Sequence, residues 1–280
     1  DPICEYIPEF GVGGKELITI RHLLSHRAGI PTVPADVMRL EYLQRPDEIT
    51  RILCATKPET RPGSRLAYHA ITGGFVLGEV LRRVTGLTVR RYMDQVVRQP
   101  LGFRWMQYGV EARDVPAVAH SYLTGPTPLP PLSTLMRRAL GLPLAEVVTA
   151  SNDARFMTAE VPSGVLITTA NELSRFYQLL LDGGTLDGVT VFASRTIRRA
   201  IGEQSYLEHD LTLMLPIRYS LGFMLGARWF SLYGPDTADA FGHLGFTNVI
   251  SWADPARQIA VTLLTSGKPI VYCGLIQLWN

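Results

Sequence analysis

The chain of 280 residues is short of cysteine, lysine and long apolar runs. Its three cysteines, Cys4, Cys54 and Cys273, lie far apart and form no C-x-x-C. That argues against a disulfide framework and a cysteine zinc site, and favours a reducing, cytoplasmic setting. No stretch reaches the length of a membrane span. The sequence opens on Asp1 rather than Met, so the natural start and any signal peptide lie outside view. Of 27 basic residues only Lys15, Lys57 and Lys268 are lysines; against 25 acids the formal net charge is +2. So even a balance suggests neither a nucleic-acid nor a membrane partner.

Catalytic motifs are missing too. There is no G-x-S-x-G elbow. GVGGKE (11–16) is not a phosphate loop, because Glu16 follows the lysine and the leading glycine is misplaced. No S-x-x-K occurs: the residues three before the lysines are Val12, Cys54 and Thr265. Nothing calls for a cofactor. His22 and His26 have metal-pair spacing, but Leu23, Leu24 and Ser25 stand between them and no third ligand is evident. His26 is better read as orienting the turn before Gly29 by hydrogen bonding.

What is present suffices for a core: 46% of residues are hydrophobic, enough for one large domain or two intimate subdomains. Thr19 is placed to cap a helix over 20–27 that Gly29 stops. Helical spacing predicts further helices at 47–55, at 72–86 with Phe75, Val76, Val80, Leu81 and Val84 inward, and at 88–98. Thr169 to Glu172 reads as a capping box before a helix burying Leu173, Phe176, Tyr177, Leu180 and Leu181. Residues 114–150, rich in Pro and Leu, read as a long loop with one short helix capped by Ser133. That loop is either a flap over a pocket or a meandering connection. Strands are expected at 218–230, 240–253 and 257–266, the last two joined by Asp254-Pro255, with a helix near Gly274. The fold class is therefore α+β, an antiparallel sheet flanked by helices plus a mostly helical subdomain. The expected division is 18–160, mainly helix and loop, and 161–280, a helix plus the sheet strands.

Two segments offer chemistry. Tyr68 lies just before a helix N-terminus; a base role needs its pKa lowered by a cation, and otherwise it is a packed tyrosine. In FGHLGF (241–246), His243 and Gly245 share a strand face. A backbone N–H there, such as that of Phe246, suits an oxyanion hole, and a bulge with a satisfied histidine is the other reading.

The order of ITIRHLLSHRAGI, RPGSRLAYHAITGGFVLGEVLRRVTG, QPLGF, PSGVLITTANELSRFYQLLLDGG and FGHLGFTNVISWADP resembles the serine β-lactamase-like, penicillin-recognising superfamily over about residues 5–270. The likeness is to its branch of class C β-lactamases, DD-peptidases and family VIII carboxylesterases, and within it to actinobacterial lipase or esterase-type members. It implies a β-lactamase/transpeptidase-like fold and makes HLLSHRAG a structural stretch. It also implies that Tyr68 belongs to a Tyr-x-Asn motif, His243-Leu244-Gly245 to the K-T-G or H-x-G strand, and Phe246 to the oxyanion N–H. His69 follows Tyr68 as a further substrate-side residue. Ala70 stands where the family has the asparagine that contacts β-lactam and peptide amides, which favours an ester substrate. The S-x-x-K and two strands would lie upstream of Asp1. The resulting expectation is a serine hydrolase of small or medium acyl esters, acting through an acyl-enzyme on a small-molecule substrate. A β-lactamase or DD-peptidase, or a non-catalytic relic, are the alternatives. The sequence sets no oligomeric state.

Overall fold

The computed structural model describes residues 1–33, 39–246 and 248–269. Its first half is mainly helical. Helix α1 (Ile20–Leu24) is followed by α2 (Leu40–Leu43), α3 (Pro46–Ala55), α4 (Ala70–Thr85) and α5 (Val89–Met93). Next come α6 (Leu132–Leu140), α7 (Leu144–Ser151), α8 (Ala154–Thr158), α9 (Ala170–Leu181) and α10 (Ser194–Ile201). Two small antiparallel pairs are present: β1 (Gln107–Tyr108) with the sequence-distant β2 (Leu166–Ile167), and the hairpin of β3 (Thr185–Leu186) with β4 (Val189–Thr190).

The main sheet is an antiparallel meander. It contains β5 (Ser205–His209), β6 (Pro216–Tyr219), β7 (Met224–Leu225), β8 (Phe241–Gly245), β9 (Val249–Asp254) and β10 (Ile259–Leu264), in the spatial order β10-β9-β8-β7-β6-β5. Helix α9 lies against β9 and β10, and Tyr177, Leu180, Phe241 and Ala253 are buried between them. A second core joins α1, α3 and α4 through Leu23, Leu53, Phe75 and Val76. Each such apolar side chain contributes about 1.5–3 kcal/mol by leaving water.

Local chemistry explains the helix ends. The Thr19 hydroxyl accepts the His22 N–H (3.1 Å), and His22 Nδ1 accepts the Thr19 N–H (3.3 Å). Gly86 ends α4 with φ +73°. Thr169 caps α9 by accepting the Glu172 N–H (3.1 Å). Glu172 does not complete that box: its carboxylate accepts the Arg104 N–H (2.6 Å) and the Trp105 N–H (3.0 Å), tying α9 to a loop 68 residues earlier. Lys15, 1% exposed, donates to the Cys54 (2.7 Å) and Thr56 (2.6 Å) carbonyls at the end of α3, where the helix dipole favours a cation.

Several expectations need correction. The run 240–253 is two strands with a turn between them, and 218–230 is broken at Ser220–Phe223, where Gly222 has φ +96°. Strand β5 was not expected. Residues 114–150 carry two helices, α6 and α7, and Pro131 rather than Ser133 precedes the first, with no side-chain cap. Asn152 Nδ2 and Oδ1 bond both backbone groups of Ser121, closing this excursion at its base. Val84 is exposed, because the end of α4 projects past the core. The expected helix near Gly274 lies outside the described residues.

Candidate active site

Tyr68 sits in an extended segment, Leu66 to His69, leading into α4. His26 grips that segment on both sides of the tyrosine. Its carbonyl accepts the Ala67 N–H (3.0 Å), and its Nδ1 accepts the His69 N–H (3.4 Å). To do so His26 takes φ +57°, uncommon for a residue with a Cβ. Its role is therefore to hold the tyrosine segment rather than the turn before Gly29. That turn depends on glycine: Gly29 has φ +78°, and a Cβ there would come within 2.3 Å of the Thr60 carbonyl oxygen. Both histidines of the opening pair thus use Nδ1 on backbone amides. Among the described residues no cluster of three or more His, Cys, Asp or Glu is arranged for a metal.

The sheet supplies the facing wall. The turn after α1 is stitched to it by Gly222 N–H on the Leu24 carbonyl (3.0 Å) and by the Arg27–Glu208 ion pair. The rings of Tyr68 and His243 stand 5.9 Å apart, and the His26 ring lies 4.8 Å from both Tyr68 and Tyr219. His243 Nδ1 is 2.8 Å from the Leu244 carbonyl oxygen, which leaves Nε2 as its other polar atom.

The glycines of FGHLGF differ. A Cβ on Gly242 would fall 2.2 Å from the Ser251 carbonyl oxygen, so β9 requires that glycine. On Gly245, among the described residues, it would meet Val249 alone, at 3.6 Å. The fold alone does not demand a glycine at 245, whereas a ligand passing along this face would. Phe246 follows in the turn, with the Lys268 ammonium 5.3 Å from its ring centroid. Leu244, on the opposite strand face from His243, packs with Leu66, Tyr219 and Met224. His69 points inward. It is 2% exposed, its Nδ1 lies 2.7 Å from the Ala67 carbonyl oxygen, and its Nε2 has no partner.

Burial dominates the electrostatics. It pushes Tyr68 up to about 12, and the negative charge of Asp210 adds to the effect. Desolvation likewise lowers His69 to about 4 and holds His26 and His243 below the usual histidine range. The described site therefore contains neutral imidazoles around a protonated phenol.

Sequence reading missed two members of this cluster, Asp210 and Tyr219. Asp210 is fully buried between β5 and β6, and Tyr219 ends β6. A signal was available in HDLTLMLP (209–216), where a single acid opens an otherwise uncharged apolar run.

Comparison with known proteins gives a consistent picture. A family model described as Beta-lactamase matches residues 1–271. The esterase/beta-lactamase LipL of Mycobacterium tuberculosis is 24% identical over 276 residues, 94% of this chain and 62% of that protein. The chain likewise spans 62% of the length of the next curated relatives it matches. Among solved structures, a penicillin-binding protein homologue from Caulobacter crescentus superimposes with a TM-score of 0.83 at 27% identity, covering 96% of this chain and 71% of that one. A family VIII carboxylesterase gives 0.82 at 29% identity, covering 95% and 69%.

Proposed function

The chain belongs to the β-lactamase family, and from that premise we propose that it forms the proton-transfer and substrate-facing part of a serine ester hydrolase. The observation that carries this reading is the apposition of Tyr68 and His243, 5.9 Å apart, beside a glycine the fold does not need. The esterase relatives and Ala70 in place of the amide-contacting asparagine support an ester over a β-lactam or peptide.

In this reading a serine hydroxyl attacks the ester carbonyl. Its proton passes to the Tyr68 phenolate, and the Phe246 N–H receives the developing oxyanion. The tetrahedral adduct collapses, the departing alkoxide takes the proton from Tyr68, and the acyl group stays on the serine. Water then releases the acid by the reverse proton route. His243 and Gly245 form the wall along which the ester lies, and Leu244 packs behind it. We leave His69 out of this set, because its ring is buried, edge-on to that of His26. The 280 residues hold no S-x-x-K, so the nucleophile and the ammonium that would favour the phenolate come from outside them. Sparse cysteine, with Cys4 and Cys54 free among the described residues, favours a reducing, cytoplasmic setting for the enzyme. No helix among the described residues is long and apolar enough to cross a membrane.

The test is turnover by the full-length protein. Hydrolysis of nitrophenyl butyrate, with an acyl mass increment on one serine peptide, is the expected result. No hydrolysis of that ester, or rapid nitrocefin turnover in its place, would overturn the ester assignment.

A further inference from the structure

Asp210 is 0% exposed. Its Oδ1 accepts the Thr212 and Leu213 N–H groups, both at 2.8 Å. Its Oδ2 has one hydrogen-bond partner among the described residues, the Tyr219 hydroxyl at 3.4 Å. A buried carboxylate so lightly compensated is costly. The loop holding it is fixed against the tyrosine segment by Leu211 N–H on the Leu66 carbonyl (2.9 Å), and Leu213 and Tyr68 pack on the same Leu66–Tyr219–Met224 cluster.

The charged and titratable groups around Asp210 can be taken element by element. Tyr219 comes from β6, Tyr68 and His69 from the segment before α4, His26 from the turn after α1, and His243 from β8. On β5, Glu208 is already engaged by Arg27, and His209, next to Asp210 in the chain, is exposed to water. Burial keeps the three histidines neutral. The negative charge of Asp210 is therefore not cancelled within the cluster, and it acts on the nearby phenols.

We propose that Asp210 is a positioning residue for proton transfer: its buried carboxylate, shared with the Tyr219 hydroxyl, keeps the proton on Tyr68 until a cation approaches. A base that gives up its proton too readily could not protonate the departing alkoxide, so a phenol biased towards its neutral form suits the second half of that exchange. The mechanistic part of this inference rests on the ester-hydrolase reading, whereas the electrostatic part does not.

The experiment places a difluorinated tyrosine at position 68 of the full-length protein and follows its phenolate absorbance against pH, with no substrate present. Asp210→Asn retains an Oδ1 acceptor for the two amides and removes the charge. It should move the titration down by about one pH unit, the scale of a nearby like charge. Tyr219→Phe removes the hydroxyl that shares the charge and should move it up. These opposite signs separate electrostatics from loosened packing, which would move both variants the same way. An unmoved titration in Asp210→Asn, or shifts of one sign in both, overturns the proposal. If Asp210→Asn does not fold, Tyr219→Phe decides alone, an upward shift supporting the proposal and no shift or a downward one refuting it. Because the readout needs no turnover, absence of esterase activity would count against the ester reading and leave this result standing.

Discussion

Asp210 and Asp254 are the same device put to different uses. Both are buried, at 0% and 1% exposure, and both hold a turn through Oδ1. Asp254 Oδ1 accepts the Ala256 (3.0 Å) and Arg257 (3.3 Å) N–H groups at the β9–β10 hairpin, and its Oδ2 pairs with Arg257 Nη1 at 2.5 Å. Arg257 also donates to the Asp236 carbonyl (2.8 Å), tying down a second loop. At Asp210 the second oxygen faces only a phenol. An ion pair confines the charge of Asp254 to its hairpin; without one, the charge of Asp210 reaches Tyr68. Equal burial and equal turn geometry thus do not imply equal roles, and the difference lies in whether a cation closes the circuit.

The sharpest break of this comparison is to remove what Asp210 acts upon. Tyr68→Phe in the full-length enzyme should lower kcat by about 10²–10⁴-fold, the scale of general acid–base catalysis, with thermal stability kept. A change of only a few-fold would mean that Tyr68 is packing alone.

The next effect is acid sensitivity, which should belong to the Asp210 side, where the buried histidines are. His69 titrates in the folded protein at about 4, against about 6.5 unfolded. The unfolded chain therefore binds the proton first as pH falls, so stability present above about 6.5 is lost on the way down towards 4. Denaturant midpoints should fall between pH 7 and pH 5, above the main carboxylate range, and the fall should shrink in His69→Leu. An undiminished fall in that variant would place the acid response elsewhere.

Smaller still, Asp254→Asn should cost about 1–3 kcal/mol, a hydrogen-bonded charge lost beside a half-exposed arginine, seen as a Tm lower by several degrees. The least change is expected for Asp210→Asn, whose stability should stay within about 1 kcal/mol of the parent or rise, since an uncompensated charge is removed. Equal losses in the two variants would erase the contrast.

Sequence made some of this architecture legible because its signals are local. Thr19, Thr169 and Gly86 announce helix ends through their own side chains or backbone freedom; the structure uses Thr19 and Gly86 as read and keeps the Thr169 half of its box, while Glu172 bonds elsewhere. The motif order around Tyr68 and His243 also pointed to the sheet and to its two facing segments. The end of β8 at Gly245 and the start of β9 at Val249 were invisible, since no proline marks a stop between the two apolar runs. Strand β5 was hidden for a different reason: SYLEH alternates poorly, and its register shifts between Ser205 and Glu208. Asp210 and Tyr219 escaped because their meaning is entirely non-local. Each becomes informative only once the β5–β6 loop is seen beside Leu66. The burial of His69 was hidden for a related reason, since adjacency to Tyr68 in the chain says nothing of which way its ring points.

The clasp of Asn152 on Ser121 bears on how this molecule can change over time. It fixes both ends of a loop whose closing residues are 31 apart in sequence, so the chain between them is anchored at its base. Closure entropy grows only logarithmically with length, and doubling such a loop costs about 0.6 kcal/mol. Residues 125–141, none of them buried, can therefore be lengthened, shortened or exchanged at little thermodynamic expense, whereas Tyr122, bonded to Ser266 and Lys268, and the buried Leu144 and Val148 stay fixed. Variation among descendants of this protein has a cheap place to accumulate, and Asn152 is the residue that keeps it there.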